Sequence, residues 1–163
     1  MKILLAVDGS SYTKRMLAYL AAHDDFLGNR HQYTVLTVVP ALPSRAMVVL
    51  DKAAVKSYQE DEAERVFKPI RGFLARHGID ASYLTRVGPA GELIARQAAA
   101  GRFDLLMMGS HGHGSLSGLV MGSVATKVLA SCKTPLLLVR ESPLPLVRES
   151  LLAPRIRASA STF

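Results

Sequence analysis

Phe103-Asp104-Leu105-Leu106-Met107-Met108 is a short apolar run, and it opens onto Gly109-Ser110-His111-Gly112-His113-Gly114-Ser115-Leu116-Ser117-Gly118-Leu119-Val120-Met121-Gly122-Ser123. Five of the twelve glycines fall between 109 and 122. Beyond them Val124, Ala125, Val128, Leu129 and Cys132 recur at helical spacing. The reading is strand, long loop, helix. The loop is about twelve residues long, against roughly 2–6 in an ordinary strand-to-helix connection. Long loops leaving the C-terminal ends of strands are where open α/β sheets bind ligands. Glycine lets such a backbone take positive φ and approach a ligand closely. At Gly122-Ser123 the chain enters a helix, whose unpaired N–H groups and positive dipole end favour an anion. Ser123 can cap that helix or give its hydroxyl to a phosphate. A phosphate at this point is the physical expectation.

Working back from this segment, Gly88-Pro89 is a turn into a helix over 90–100, with proline well placed near a helix start. Residues 80–87 read as a strand. Residues 52–77 read as a helix, acidic early at Glu60, Asp61, Glu62 and Glu64, ended by Gly78. Pro69 should kink or split it. Pro40, Pro43 and Ser44 mark a loop after the β-branched strand 33–39. Asp8-Gly9-Ser10-Ser11 signals a turn and a helix start. That helix runs to about residue 27 with Met16, Leu17, Leu20 and Ala21 on one face, and Gly28-Asn29 stops it. Residues 2–7, KILLAV, have the continuous apolar character of a buried parallel strand. On the other side, residues 135–140 make a fifth strand. Five strands alternating with helices predict an α/β fold: a single doubly wound, five-stranded parallel sheet with helices on both faces. The order 3-2-1-4-5 sets the fourth strand beside the first, and the 1/4 junction becomes the switch point. Residues 1–140 then form one domain. Residues 141–163 hold three of the eight prolines and are expected to be a C-terminal extension, mobile from about 148.

Composition narrows the function. The chain has 163 residues, the size of one domain. Its net charge is +7, but the basic residues are dispersed, 17 against 11 acids in residues 1–140, and no basic run points to nucleic acid. Aromatic residues make up 6%, with no Trp, too few for stacking platforms on single strands. No apolar run approaches the ~18 residues of a membrane span. The five apolar residues before Asp8 are too few for a signal peptide. Cys132 is the one cysteine and cannot form an intrachain disulfide, which suits a reducing compartment. A cytoplasmic protein without nucleic-acid or membrane partners is expected.

Neither G-x-x-x-x-G-K-[ST] nor G-x-G-x-x-G after the first strand is present, so a phosphate must use the loop of the fourth. Gly109-Ser110-His111-Gly112, nine residues and Gly122-Ser123 instead match G-x2-G-x9-G-[ST]. With Ile3-Leu4-Leu5-Ala6-Val7-Asp8-Gly9-Ser10, Gly122-Ser123-Val124-Ala125-Thr126-Lys127-Val128-Leu129 and Pro135-Leu136-Leu137-Leu138-Val139, the chain resembles the nucleotide-binding branch of the universal stress protein family over residues 2–140. The resemblance implies an adenine nucleotide, usually ATP, above the 1/4 junction. Gly109, Gly112, Gly122 and Ser123 would hold phosphates, with His113 and Val124 beside them. Asp8 would lie near the ribose, and Ala6 and Val38 near adenine. It also implies stress-response regulators without strong enzymatic activity, and homodimers built through the last strand, here Leu136, Leu137, Leu138 and Val139. His113 stands where the family often has arginine, so phosphate neutralisation should be weaker or pH-dependent. Gly88-Pro89-Ala90 is one residue tighter than the usual G-x-P-A.

Each of these residues also has a plainer reading. The glycines with Ser123 could be loop geometry and a helix cap, and Asp8 could simply close an Asx-turn. His111 and His113, with no cysteine or acid beside them, fall short of a zinc site. A Mg²⁺ or Mn²⁺ bridging the phosphates fits better, since such ions take few protein ligands. Lys127 suits a solvated face and Cys132 a core position. Ala46-Met47-Val48-Val49-Leu50 could be a lid or a dimer contact. No G-x-S-x-G elbow is present, and no third group orients a Ser/His pair. Phosphoryl transfer needs a positioned nucleophile as well as phosphate clamps, and only the clamps are found. The leading expectation is an ATP-binding stress-response regulator whose 110–121 loop the nucleotide orders. The alternatives are a slow ATP hydrolase or adenylyl-transfer enzyme, and a ligand-free dimeric interaction scaffold.

Overall fold

The computed structural model of the chain describes residues 1–43, 45, 51–112 and 121–140. Five strands, β1 (Lys2–Val7), β2 (Gln32–Val39), β3 (Ala81–Val87), β4 (Leu105–Gly109) and β5 (Leu136–Val139), form one parallel sheet in the order β3-β2-β1-β4-β5. The helices are α1 (Ser11–Ala22), α2 (Asp24–Leu27), α3 (Lys52–Arg76), α4 (Ala90–Ala100) and α5 (Ser123–Ser131). Residues 46–50 and the C-terminal extension, 141–163, lie outside the described residues.

The period-2 alternation of β1 builds both layers. Ile3, Leu5 and Val7 point to a core shared with Met16, Leu17 and Leu20 of α1 and with Phe67, Ile70 and Leu74 of α3. Leu4 and Ala6 point to the opposite core, shared with Ile94 and Ala98 of α4 and with Ala125 and Val128 of α5. Register keeps this consistent across the sheet, with Leu5 opposite Val35 and Met107, and Ala6 opposite Leu36 and Met108. The central strand is therefore apolar on every residue from Ile3 to Val7, which is why it reads as a continuous run.

Three predicted elements differ from the observed ones. The first helix does not run unbroken to residue 27. It ends at His23, whose Nδ1 lies 2.8 Å from the Tyr19 carbonyl, and a new turn starts with Asp24 and Asp25 at its positive end. The long helix is not split at Pro69. Pro69 lies on its exposed side, and the helix runs through it from Lys52 to Arg76. The fourth strand begins at Leu105 rather than 103. Asp104 is held outside it, accepting from Lys2 N–H through Oδ2 at 2.7 Å while its own N–H goes to Lys2 O at 2.9 Å.

Candidate functional site

A cleft of about 260 Å³ opens at the C-terminal ends of β1 and β4. This is the switch point of the sheet, since β1 leads to β2 on one side and β4 to β5 on the other. One end is apolar, lined by Ala6, Val38, Ala90, Ile94 and Met108. The other end is polar and built from Asp8, Thr13, His111, Gly112, Gly122 and Ser123.

The β1–α1 turn carries Asp8. Gly9 takes φ +79°, which turns the chain sharply after the strand. Asp8 Oδ1 accepts from Ser10 N–H at 3.0 Å and from the Thr13 hydroxyl at 2.8 Å, and Thr13 Oγ1 accepts from Asp8 N–H at 3.1 Å. The Asx-turn is thus real, and it aims the other carboxylate oxygen at the loop: a Cβ on Gly112 would stand 2.5 Å from Oδ2. Asp8 lines the cleft at the same time. Ser10 caps α1, accepting from Thr13 N–H at 3.4 Å.

The glycines work by space rather than by unusual backbone angles. Among the described residues positive-φ glycines are Gly9, Gly78 and Gly88, so Gly109, Gly112 and Gly122 depart from the expectation of left-handed φ. Gly109 is buried, and a Cβ on it would lie 2.6 Å from Tyr12 Cβ, so its bareness admits the start of α1. On Gly122 a Cβ would meet His111 Cα at 3.1 Å and Ser110 O at 3.2 Å. Gly122 N–H donates to Ser110 O at 2.8 Å, which closes the base of the loop.

Ser123 does not cap α5. Gly122 occupies the cap position and no side chain caps the helix. The first ladder bond runs from Thr126 N–H to Gly122 O at 2.9 Å, so the amides of Ser123, Val124 and Ala125 precede the ladder, and all three residues line the cleft. The apolar stripe of α5 is narrower than predicted. Ala125 and Val128 are buried, whereas Val124 is 37% and Leu129 57% exposed. Val124 instead lines the cleft. Cys132 is half-buried at the end of α5 against the second core. Lys127 Nζ lies 3.6 Å from Glu92 Oε1 on an open surface.

Of the sequence-predicted site residues, Ala6, Asp8, Val38, Gly109, Gly112, Gly122, Ser123 and Val124 all line this one cleft. His113 lies outside the described residues. Thr13, Ala90, Ile94, Met108 and His111 were not among the predicted site residues. Met108 sits opposite Ala6 in the sheet and Ile94 follows Ala90 by one helical turn, and both signals were present in the pattern. Among the described residues no group of three or more His, Cys, Asp or Glu could hold a metal ion. No helix among them is long and apolar enough to cross a membrane.

Fold and cleft together define a doubly wound α/β domain with a cleft at its switch point. The model of the universal stress protein family matches residues 1–140, and the chain belongs to that family. Among curated proteins no match is found. Universal stress protein UspA from Lactobacillus plantarum is similar in structure, with a TM-score of 0.65, 19% identity, and 86% of this chain and 97% of that one covered. A universal stress protein family protein from Arabidopsis thaliana with AMP bound has a TM-score of 0.63 at 12% identity, covering 88% and 93%. The universal stress protein from Archaeoglobus fulgidus in complex with dAMP has a TM-score of 0.53 at 17% identity, covering 85% and 96%.

Proposed function

We propose that the cleft binds an adenine nucleotide, ATP in the cell, and that the protein is a cytoplasmic stress-response regulator acting through the nucleotide-bound state rather than through turnover. The observation that carries this reading is one juxtaposition. An apolar slot, formed by Ala6, Val38 and Ile94, ends at the uncapped amides of Ser123 and Val124. A flat base suits the slot. Phosphate suits the amides, where the helix dipole adds to three unladdered N–H groups. Asp8 belongs to the polar end, where its carboxylate would accept from ribose hydroxyls. Gly109, Gly112 and Gly122 keep the loop base close against this site, with His113 in the segment beyond it. AMP and dAMP in the relatives lend the adenine class support. A Mg²⁺ or Mn²⁺ bridging the phosphates would be held by them and by water, since the described residues offer Asp8 but no acidic cluster.

Ser123→Pro tests the reading. Proline is well accepted at the first helical position, and Gly122 already has the φ −70°, ψ 155° that a residue before proline prefers. The substitution removes one amide donor and the hydroxyl without opening the helix. Calorimetric titration should show ATP and AMP binding weakened about tenfold or more, adenosine unchanged and the melting temperature held, the loss of charge-assisted hydrogen bonds being about 1.5–3 kcal/mol. ATP should bind the wild type more tightly than AMP. Absence of any adenine nucleotide binding to the wild type, with none released on denaturation, would overturn the proposal.

A further inference from the structure

We propose that residues 143–150 duplicate the last strand and fold back along the outer edge of β5 in the same chain, where they compete with a second molecule for that edge.

The sequence carries an eight-residue repeat. Residues 135–142 read PLLLVRES and residues 143–150 read PLPLVRES, identical but for Leu137 and Pro145. The first unit contains β5, whose backbone directions are fixed by the ladder to β4. Pro135 O accepts from Leu106 N–H at 2.8 Å, and Val139 O from Ser110 N–H at 2.9 Å. Residues 135, 137 and 139 therefore turn their backbone polar groups to β4, and Leu136 and Leu138 turn theirs outward. β5 is the end strand of the sheet, and Leu136, Leu137 and Leu138 are half-buried.

The second unit reproduces the outward side without change. Leu144 and Leu146 match Leu136 and Leu138, and the one replacement, Pro145, falls where β5 faces β4. Pro143 has the same parity. The duplicate thus keeps its N–H groups at 144, 146 and 148 and lacks them at 143 and 145. A strand with alternate N–H groups missing covers an edge on one side and blunts the other.

The connection favours the same chain. Residues 140–143, Arg-Glu-Ser-Pro, separate Val139 from Leu144, a length that antiparallel hairpins use, and Ser-Pro favours a turn. Matching the intact sides sets even residues against even ones, Leu138 with Leu144 and Leu136 with Leu146. Opposed residues share a sheet face, so Leu144 and Leu146 would continue the core layer of Leu136 and Leu138, and Pro145 that of Leu137. So short a tether holds the strand at the edge at roughly millimolar effective concentration. A second molecule, with a larger surface to offer, has to displace it.

The test follows hydrogen exchange at the β5 amides in dilute full-length protein, over wild type, Leu146→Pro and Val147→Pro, with a chain ended after Ser142 beside them. Leu146→Pro removes an N–H from the pairing side, and Val147→Pro removes one from the side that already lacks them. Leu136 and Leu138 should exchange about tenfold more slowly in wild type and Val147→Pro than in Leu146→Pro and the shortened chain. In sedimentation over a range of concentrations the latter two should self-associate about tenfold more tightly than the former. Equal exchange in all four dilute proteins overturns the inference. Protection that appears only on concentration, in wild type and Leu146→Pro alike, gives the edge to a second molecule alone and overturns it too. Weaker association of the shortened chain would make residues 143–150 part of an intermolecular contact, which also overturns it.

Discussion

Gly109 and Gly72 show how differently two glycines of one chain are constrained. A Cβ on Gly109 would stand 2.6 Å from Tyr12 Cβ and 3.2 Å from the Tyr12 carbonyl carbon, so an added methyl must displace the start of α1. Overpacking of this kind costs about 1–3 kcal/mol. Gly72 lies exposed within α3 with nothing within 4 Å of its Cβ position. There a methyl removes the helix penalty of glycine, about 0.8–1 kcal/mol, and meets nothing. Gly109→Ala should therefore lower the thermal midpoint by several degrees and Gly72→Ala should raise it, both followed by circular dichroism. An unchanged midpoint in Gly109→Ala would mean that α1 can move away from β4 without loss. Asp8 has two positions of consequence in one side chain. Oδ1 is committed to the turn by Ser10 and Thr13, so the Asx-turn and the site are one feature seen from two sides.

The junction of α2 with β2 is held by one phenol. Tyr33, at the start of β2, donates its hydroxyl to the carbonyls of Leu27 and Gly28, and the ring is 3% exposed. Burial, with the charge of Asp24 second, pushes its pKa up to about 12 from the ordinary 10. The raised value means that the neutral phenol is favoured by folding. This stabilisation is complete below pH 10 and is lost as pH rises from about 10 to about 12, up to roughly 2–3 kcal/mol for a shift of this size. Tyr33→Phe should cost about 1–3 kcal/mol at neutral pH, leaving two carbonyls without their donor, and should flatten the alkaline fall of stability in urea denaturation. Tyr83, also raised by burial, is common to both proteins, so the difference between them isolates Tyr33. An equally steep alkaline fall in the variant would refute this assignment. The same region marks what could be read from the chain and what could not. The alternation in β1 and the α1 stripe of Met16, Leu17 and Leu20 are periodic over several residues, so strand order, layers and the switch-point cleft were legible. The break at His23 was not, because it depends on one imidazole reaching the Tyr19 carbonyl and on Asp24-Asp25 starting a new turn. Within the site, the glycines and Asp8 were legible as a pattern, but their mechanism was not. Whether Gly109 serves a ligand or a neighbouring Tyr12 depends on where α1 packs, which lies about a hundred residues away in the chain.

The sheet leaves two edges, and they are chemically unlike. The β3 edge carries Ser82, Thr85 and Arg86, with the Arg71 guanidinium 4.8 Å from the Tyr83 ring centre, so it is blunted by polar and charged groups. The β5 edge is Leu-Leu-Leu-Val, with Leu136, Leu137 and Leu138 only half-buried by the single chain. An apolar edge without a polar side chain invites a second strand, and pairing two copies about a two-fold axis covers it in a closed way. We therefore expect a homodimer through β5. The geometry of the ladder supplies the variant that tests it. Pro135 O accepts from Leu106 N–H at 2.8 Å and Val139 O from Ser110 N–H at 2.9 Å, so residues 135 and 139 face β4 with their backbone polar groups. Strand alternation then puts those of Leu137 on the same side and those of Leu136 and Leu138 on the outer side. Leu138→Pro removes an outward N–H while sparing the ladder to β4, as proline at a strand edge does. Light scattering at micromolar concentration should give wild type at twice the 17.6 kDa chain mass and Leu138→Pro at the chain mass, with helix content retained by circular dichroism. A wild type that stays at the single-chain mass would sink the β5 dimer. A folded Leu138→Pro that still dimerises would move the contact away from this edge.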